Sequence, residues 1–179
     1  LARPSPGLRE AFGRILSKVG IHINAKNALQ VTAVFACVRL LSESIASLPL
    51  FLYRRTETGK EKATDRPDYG VLHDVPNPET DSFQFWQAFT ANMLVYGRGY
   101  AEAVRNNAGQ IVQMWNITTP YCRPQRNKET QELEYIVTIP GKEMFTLRKD
   151  QIFRVDWFSM DALNAFHPLE LAQTPSAWI

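Results

Sequence analysis

Cysteine, long hydrophobic runs and charge of one sign are all scarce in this chain. Its 179 residues contain two cysteines, Cys37 and Cys122, too few for a disulfide framework. One disulfide between them stays open, although a reduced, intracellular setting is the better interpretation. The longest apolar runs are only a few residues, so no membrane span is predicted. The net charge of +2 names no partner, because nucleic-acid-binding domains usually carry a stronger and more clustered basic excess.

The common catalytic and cofactor-binding motifs are also missing from the sequence. The nine glycines are scattered and form no phosphate-binding loop at the start of a helix. There is no Gly-x-Ser-x-Gly nucleophile elbow. The three histidines, His22, His73 and His167, lie in different segments without metal-ligand spacing. No catalytic residue, cofactor-binding residue or metal ligand is therefore predicted, and the chain is not expected to be an enzyme.

Two other functions stay open at this point. The acids Asp65, Asp68 and Asp74 flank a proline-rich loop and, with His73, could serve a hydrolase, although a polar loop explains them equally well. A stand-alone nucleic-acid-binding module could stack bases on exposed aromatic rings, although the spacing of these rings fits core positions better. The aromatic residues concerned are Trp86, Trp115, Phe153, Trp157 and Phe158.

What the sequence does contain indicates a globular domain preceded by an arm. Hydrophobic residues make up 45% and charged residues 21%, as in ordinary folded domains. In the arm, residues 1–26, five apolar side chains recur at helical spacing and predict a short helix packed on the domain. Docking to a partner or to a membrane surface remains an alternative for this helix. The five residues are Leu8, Phe12, Ile15, Leu16 and Val19.

A first long helix is predicted after the arm. Its apolar residues recur at steps of three and four over roughly 20 residues, which places them along one side of a helix. Arg39 and Glu43 are expected to form an exposed ion pair. Pro49 ends the helix, and the following LFLYRR alternates as a strand, so the corner is expected to lay the helix against the sheet that this strand begins. The apolar stripe comprises Val31, Val34, Val38, Leu41, Ile45 and Leu48.

The rest of the chain predicts further helices and an antiparallel meander. A short helix is expected near residues 68–73, and a second long helix should begin after the N-cap Asp81 and end at Gly97. Six short alternating runs follow between residues 100 and 158, at about ten residues per strand. Another helix should begin near Pro168. The predicted class is α+β, with two long helices packed on an antiparallel β meander.

The order of several motifs resembles one known family. The stretch NALQVTAVFACVRLLSESIASLPLFLYRR, residues 27–55, is similar to the N-terminal region of tailed-bacteriophage portal proteins of the Hong Kong 97 type. The likeness continues through VLHDVPNP, GRGYAEAV and IFRVDWF, where Arg154 occupies the family's histidine position, and spans about residues 27–173. The later stretch DALNAFHPL departs from the family pattern, with alanines at 162 and 165 and His167 in place of serine.

The resemblance implies a structural role. Portal subunits form a homo-oligomeric ring, usually dodecameric, at one capsid vertex in the virion, and they assemble in the host bacterial cytoplasm. The ring nucleates capsid assembly, passes double-stranded DNA, and contacts the major capsid protein or scaffold, the head-tail connector proteins and the terminase, which hydrolyses ATP. No cofactor and no membrane are implied. Residues 27–179 correspond to the wing, so the chain is expected to be the N-terminal part of a longer subunit, from a phage or a prophage, and monomeric or weakly associated alone.

The resemblance assigns no residue of this chain to the DNA channel, because the channel-facing residues of the family lie mostly outside the segment. Four arginines are therefore expected to lie on the surface or at subunit interfaces. They are Arg39, Arg54, Arg55 and Arg98.

Overall fold

Three α-helices and eight β-strands make up the described part of the chain. The computed structural model describes residues 32–141, 143–160, 165–166 and 168. The arm, residues 1–26, and nearly all of the helix predicted near Pro168 lie outside the described residues. The α-helices are α1 (Thr32–Ala46), α2 (Pro67–His73) and α3 (Ser82–Tyr96). The strands are β1 (Tyr53–Thr56), β2 (Gly59–Lys62), β3 (Arg98–Arg105), β4 (Ile111–Ile117), β5 (Cys122–Arg126), β6 (Leu133–Val137), β7 (Phe145–Arg148) and β8 (Ile152–Asp156).

All described strand pairs are antiparallel, which confirms the predicted α+β class. The strands form a two-stranded ribbon, β1–β2, and two three-stranded sheets of order β4-β3-β8 and β5-β6-β7. The meander is therefore divided, because β8 returns to pair with β3 instead of extending the second sheet. Arg98 of β3 lies directly opposite Asp156 of β8, so the two strands meet with opposite charges.

Helix α3 covers the first sheet and forms one core with it. The Asp81 side chain accepts the Gln84 N–H at 2.7 Å, and Gly97 ends the helix at φ +79°, which confirms both predicted caps. The buried rings of Phe85 and Phe89 lie on the sheet side of α3. A second core lies between the two sheets and consists of Tyr100, Ile117, Cys122, Tyr135, Val137 and Leu147.

Helix α1 lies differently from its prediction. Its main contact is α3 rather than the sheet, and its buried residues are the small Ser42 and Ala46. Small side chains allow two helix axes to approach closely, so these positions form the closest contact, while Val34 and Val38 of the apolar stripe are half-buried. Leu41 and Ile45 of that stripe remain 49% and 45% exposed. The described part of α1 spans 15 residues, Val31 of the predicted stripe lies outside the described residues, and β1 joins only the separate ribbon.

The proline-rich loop before α3 covers the free edge of β4. The Pro76 carbonyl accepts the Met114 N–H at 2.8 Å, and the Asn77 Nδ2 donates to the Met114 carbonyl at 2.8 Å. The Asn77 Oδ1 accepts the N–H groups of Glu79 and Thr80, each at 2.9 Å. An edge strand otherwise leaves a row of unpaired backbone groups, so the loop replaces a neighbouring strand there.

Replacing Asn77 with alanine should lower the free energy of unfolding by about 2 kcal/mol, because it leaves a buried carbonyl and two partly buried backbone N–H groups without their partner. Urea unfolding followed by circular dichroism measures the change. Glu79→Ala, at an exposed position of the same loop, keeps the backbone N–H and is the matched control. Equal losses in the two variants would contradict this role for the Asn77 amide.

Candidate interaction surfaces

Two of the acids considered for a hydrolase pair with separate arginines, as expected for the alternative of a polar loop. Asp65 accepts two hydrogen bonds from the Arg54 Nη2, at 2.7 and 3.0 Å, and Asp68 accepts two from Arg66, at 2.6 and 3.0 Å. These hydrogen bonds lower the pKa of both carboxyl groups. A general acid at neutral pH needs the opposite shift, so each acid is an ion-pair partner rather than a proton donor.

His73 and Asp74 make a loose contact at the end of α2. The His73 Nδ1 lies 3.8 Å from an Asp74 oxygen, and the imidazole packs edge-on against the rings of Phe51 and Tyr69, with centroids 4.8 and 5.2 Å away. Among the described residues, no three His, Cys, Asp or Glu side chains converge as metal ligands would. His22 and His167 lie outside the described residues.

The five aromatic residues considered for base stacking divide into two groups. Trp86 and Phe153 pack together with centroids 6.0 Å apart against the α3 core, as predicted. Trp115 is half-buried, and its Nε1 donates to the Gln113 side chain at 3.1 Å. The core prediction is wrong for Trp157 and Phe158, which are 46% and 52% exposed beyond the end of β8.

Of the four arginines that were not assigned to the DNA channel, three lie on the surface and one is buried. Arg39 pairs with Glu43 at 2.8 Å as predicted, and Arg54 and Arg55 lie on the exposed ribbon. The surface prediction is wrong for Arg98, which is 8% exposed. Its Nη1 donates to the Tyr100 hydroxyl at 2.9 Å, and its backbone carbonyl accepts the Thr119 hydroxyl at 2.7 Å.

The buried Arg98 forms a polar cluster with the half-buried Arg154 and Asp156, where β3 begins and β8 ends. Asp156 lies between two guanidinium groups, with the Arg154 Nε at 2.9 Å and the Arg98 Nε at 3.7 Å. A second hydrogen bond joins the Arg154 Nη2 to the other Asp156 oxygen. The bond to Asp156 raises the pKa of Arg154, and Tyr135 adds to the effect.

Two neutral groups complete the surroundings of this cluster. Burial raises the pKa of the Tyr100 hydroxyl and of the Cys122 thiol to about 12. Both groups therefore stay protonated near neutral pH, and the Cys122 thiol has little thiolate for nucleophilic chemistry. Both cysteines are free; Cys37 is exposed on α1. The cluster joins structural elements and holds no activated nucleophile.

One exposed side of α1 is a continuous apolar surface. Cys37, Leu41 and Ile45 follow at steps of four residues on α1, so their side chains share a face. Leu48 lies two residues beyond the helix, where its N–H donates to the Ile45 carbonyl at 3.1 Å, and it continues the apolar surface. Leu48 is 67% exposed, more than Leu41 or Ile45. We call these four residues the α1 ridge. Contiguous exposed apolar side chains of this kind mark interaction surfaces.

The amino-acid composition of α1 indicates this exposed surface, although the helical spacing of its apolar residues does not. Helix α1 is apolar around most of its circumference, and the two small residues that contact α3, Ser42 and Ala46, lie beside the apolar stripe. A helix that is hydrophobic on several sides has more than one partner. None of the described helices has both the length and the apolar character needed to cross a bilayer.

Comparison with known proteins gives a consistent family. The family model described as phage portal protein matches residues 32–175. Protein BeeE of Escherichia coli is 33% identical over 103 residues, which cover 58% of this chain and 64% of that protein. The portal protein of Enterobacteria phage HK97 is 32% identical over 94 residues, or 51% of this chain and 22% of that protein.

Solved structures show the same fold. A chain from the neck of an empty GTA particle, computed with C6 symmetry, has a TM-score of 0.65 at 18% identity over 90% of this chain and 46% of that chain. An HK97 family phage portal protein from Corynebacterium diphtheriae has a TM-score of 0.50 at 18% identity over 72% of this chain and 38% of that chain. This chain thus spans less than two thirds of the length of each relative. It belongs to the phage portal protein family, in its HK97 type.

Proposed function

We propose that this chain is the wing part of a structural subunit of a phage portal, a ring at one vertex of the capsid. The observation that carries the proposal is the family match, which covers residues 32–175 and so nearly all of the described fold. Neck chains with this fold come from particles computed with C6 and C12 symmetry. Repeated subunits around an axis are what a portal ring requires.

One surface of the described residues is a candidate for the contact between neighbouring subunits of such a ring. Neighbours in a ring meet head to tail, so each subunit needs two different surfaces. The α1 ridge is apolar and exposed, and a neighbouring subunit that covers it removes Leu41, Ile45 and Leu48 from water. The ridge is therefore our candidate for one side of the contact between subunits.

The wider role follows from the family. The ring would contact the major capsid protein or scaffold, the terminase and the head-tail connector proteins, and would pass double-stranded DNA through its channel. It would assemble in the host cytoplasm and remain at the portal vertex of the virion. We assign the described residues no step of covalent chemistry. The pKa of Asp65 is lowered by its hydrogen bonds to Arg54, and the pKa of the Cys122 thiol is raised by burial.

The full-length protein that contains this chain should form closed rings in electron micrographs. The same protein with Leu41→Glu and Ile45→Glu should remain mostly as single subunits. Two carboxylates on the ridge would have to be buried without partners, which is strongly unfavourable. Lys128→Glu, in the exposed turn between β5 and β6, is the control and should assemble normally. Single subunits for the unsubstituted protein would contradict the portal assignment, and rings from the ridge variant would contradict the ridge contact.

Maleimide labelling of the cysteines provides an independent test of where the subunits contact each other. Cys37 should react with a maleimide in dissociated subunits and be protected in rings, because it lies on the ridge. The buried Cys122 should react slowly in both states and so serves as an internal reference. Equal labelling of Cys37 in rings and in single subunits would place the contact elsewhere.

A further inference from the structure

A groove lies between α1 and α3, on a different side of α1 from the ridge. Its volume is about 520 Å³. Its lining combines the small Ser42 of α1 and Ala88 and Ala91 of α3 with larger apolar side chains, among them Phe35 and Val38 of α1. Arg39 and Glu43 form an ion pair along one rim, and the Gln87 Nε2 reaches Glu43 at 3.4 Å. An apolar groove with a polar rim, in which small residues leave space, suits the apolar side chains of an incoming helix.

We propose that the arm segment 8–19 of the same chain docks in this groove as an amphipathic helix. The five apolar residues of the segment are large, and their spacing of i, i+4, i+7, i+8 and i+11 is the pattern by which a helix fills a groove. Leu8 to Val19 would form about 17 Å of helix, and the groove follows α3 from Gln87 to Tyr96 for about 14 Å.

The connection of the chain favours docking within one molecule. Helix α1 begins at Thr32, three residues before Phe35, which lines the groove. The 12 residues between Val19 and Thr32 can span up to about 40 Å when extended, so the arm can reach any part of the groove. A tether of this length gives an effective concentration near the millimolar range, well above that of a second molecule in dilute solution.

Charge supports the same arrangement. The sequence has 20 basic and 18 acidic side chains, and the arm carries five of the basic and one of the acidic side chains. The remaining residues, 27–179, carry 15 basic and 17 acidic side chains, so a positive arm is tethered to a negative domain. Opposite net charges favour association, although the apolar contact supplies the position. The inference needs only one chain and stands apart from the proposed ring.

Hydrogen exchange of the full 179-residue chain, read by mass spectrometry, tests the proposal. In the unsubstituted chain, amides 8–19 should exchange at least about tenfold more slowly than a free peptide of that sequence. Phe12→Glu with Ile15→Glu should remove this protection and also speed exchange in α3 along the groove. Arg9→Gln with Lys18→Gln, on the polar side of the segment, is the control and should retain most of the protection.

A second pair of substitutions tests the groove itself. Ala88→Glu with Ala91→Glu should release the arm, because both positions line the groove; Ala88 is exposed and Ala91 is half-buried. An unprotected arm in the unsubstituted chain, or a protected arm that the groove variant does not release, would overturn the proposal. Protection that rises with protein concentration would also overturn it, since it would show that a second copy supplies the arm.

Discussion

Replacing Asp156 with asparagine is expected to lower the free energy of unfolding by about 3 kcal/mol, at the lower end of the range for losing one partner of a buried ion pair, because the site is not fully closed to water. The Asp156 carboxylate lies between Arg98 and Arg154, and the three side chains are 19%, 10% and 12% exposed. Asparagine keeps the size of the side chain but removes the negative charge, so two guanidinium groups then share a poorly hydrated site. Their repulsion and desolvation, rather than a lost cavity contact, account for the expected effect.

Denaturant unfolding of the two forms measures this change. Asp150→Asn is the matched control, because Asp150 pairs with Arg148 in the same kind of short-range contact at 3.2 Å but both side chains are mostly exposed. Exposed pairs contribute about 0–1 kcal/mol, and less at high salt. The loss from Asp156→Asn should change little with salt. A similar small, salt-sensitive loss in both variants would show that the buried cluster is solvated like the surface.

The parts of the fold that local signals specify could be predicted from the sequence. Strand β4 matches its predicted run of alternating residues, and α3 begins after Asp81 and ends at Gly97 as expected. Caps, turns and short periodic runs depend on residues that are neighbours in the chain. Their physical basis is therefore visible in a stretch of about ten residues.

The parts that depend on distant neighbours could not be predicted. Arg98 lies beside Asp156 only because β8 returns to β3, and a lone arginine at the start of a strand is otherwise expected at the surface. Helix α1 shows the same limit. Several sides of α1 are apolar, so the spacing of its apolar residues does not predict which side contacts α3. In the structure Ser42 and Ala46 make this contact and Leu41 stays exposed. The interaction surface follows from the pairing of the two helices.

The absence of a side chain at Gly99 is required where α3 crosses β3. A Cβ at this position would lie 2.7 to 3.0 Å from three ring atoms of Phe89, closer than carbon atoms approach in folded proteins. The Phe89 ring cannot move aside easily, because Phe85, Trp86 and Phe153 surround it with centroids 6.3, 5.7 and 5.5 Å away. A dense aromatic core transmits such a displacement to its neighbours.

Gly99→Ala should therefore lower the free energy of unfolding by about 3 kcal/mol, at the upper end of the range for overpacking. Gly70→Ala in α2 is the matched control: its new methyl group meets only one atom at 3.9 Å, and alanine is about 1 kcal/mol better than glycine within a helix. The same chemical change should thus stabilise one site and destabilise the other. Phe89→Leu combined with Gly99→Ala should lose less than the two single losses added together, because the smaller side chain relieves the overlap. Strict additivity would mean that the cost of Gly99→Ala arises from the strand backbone and not from the contact with Phe89.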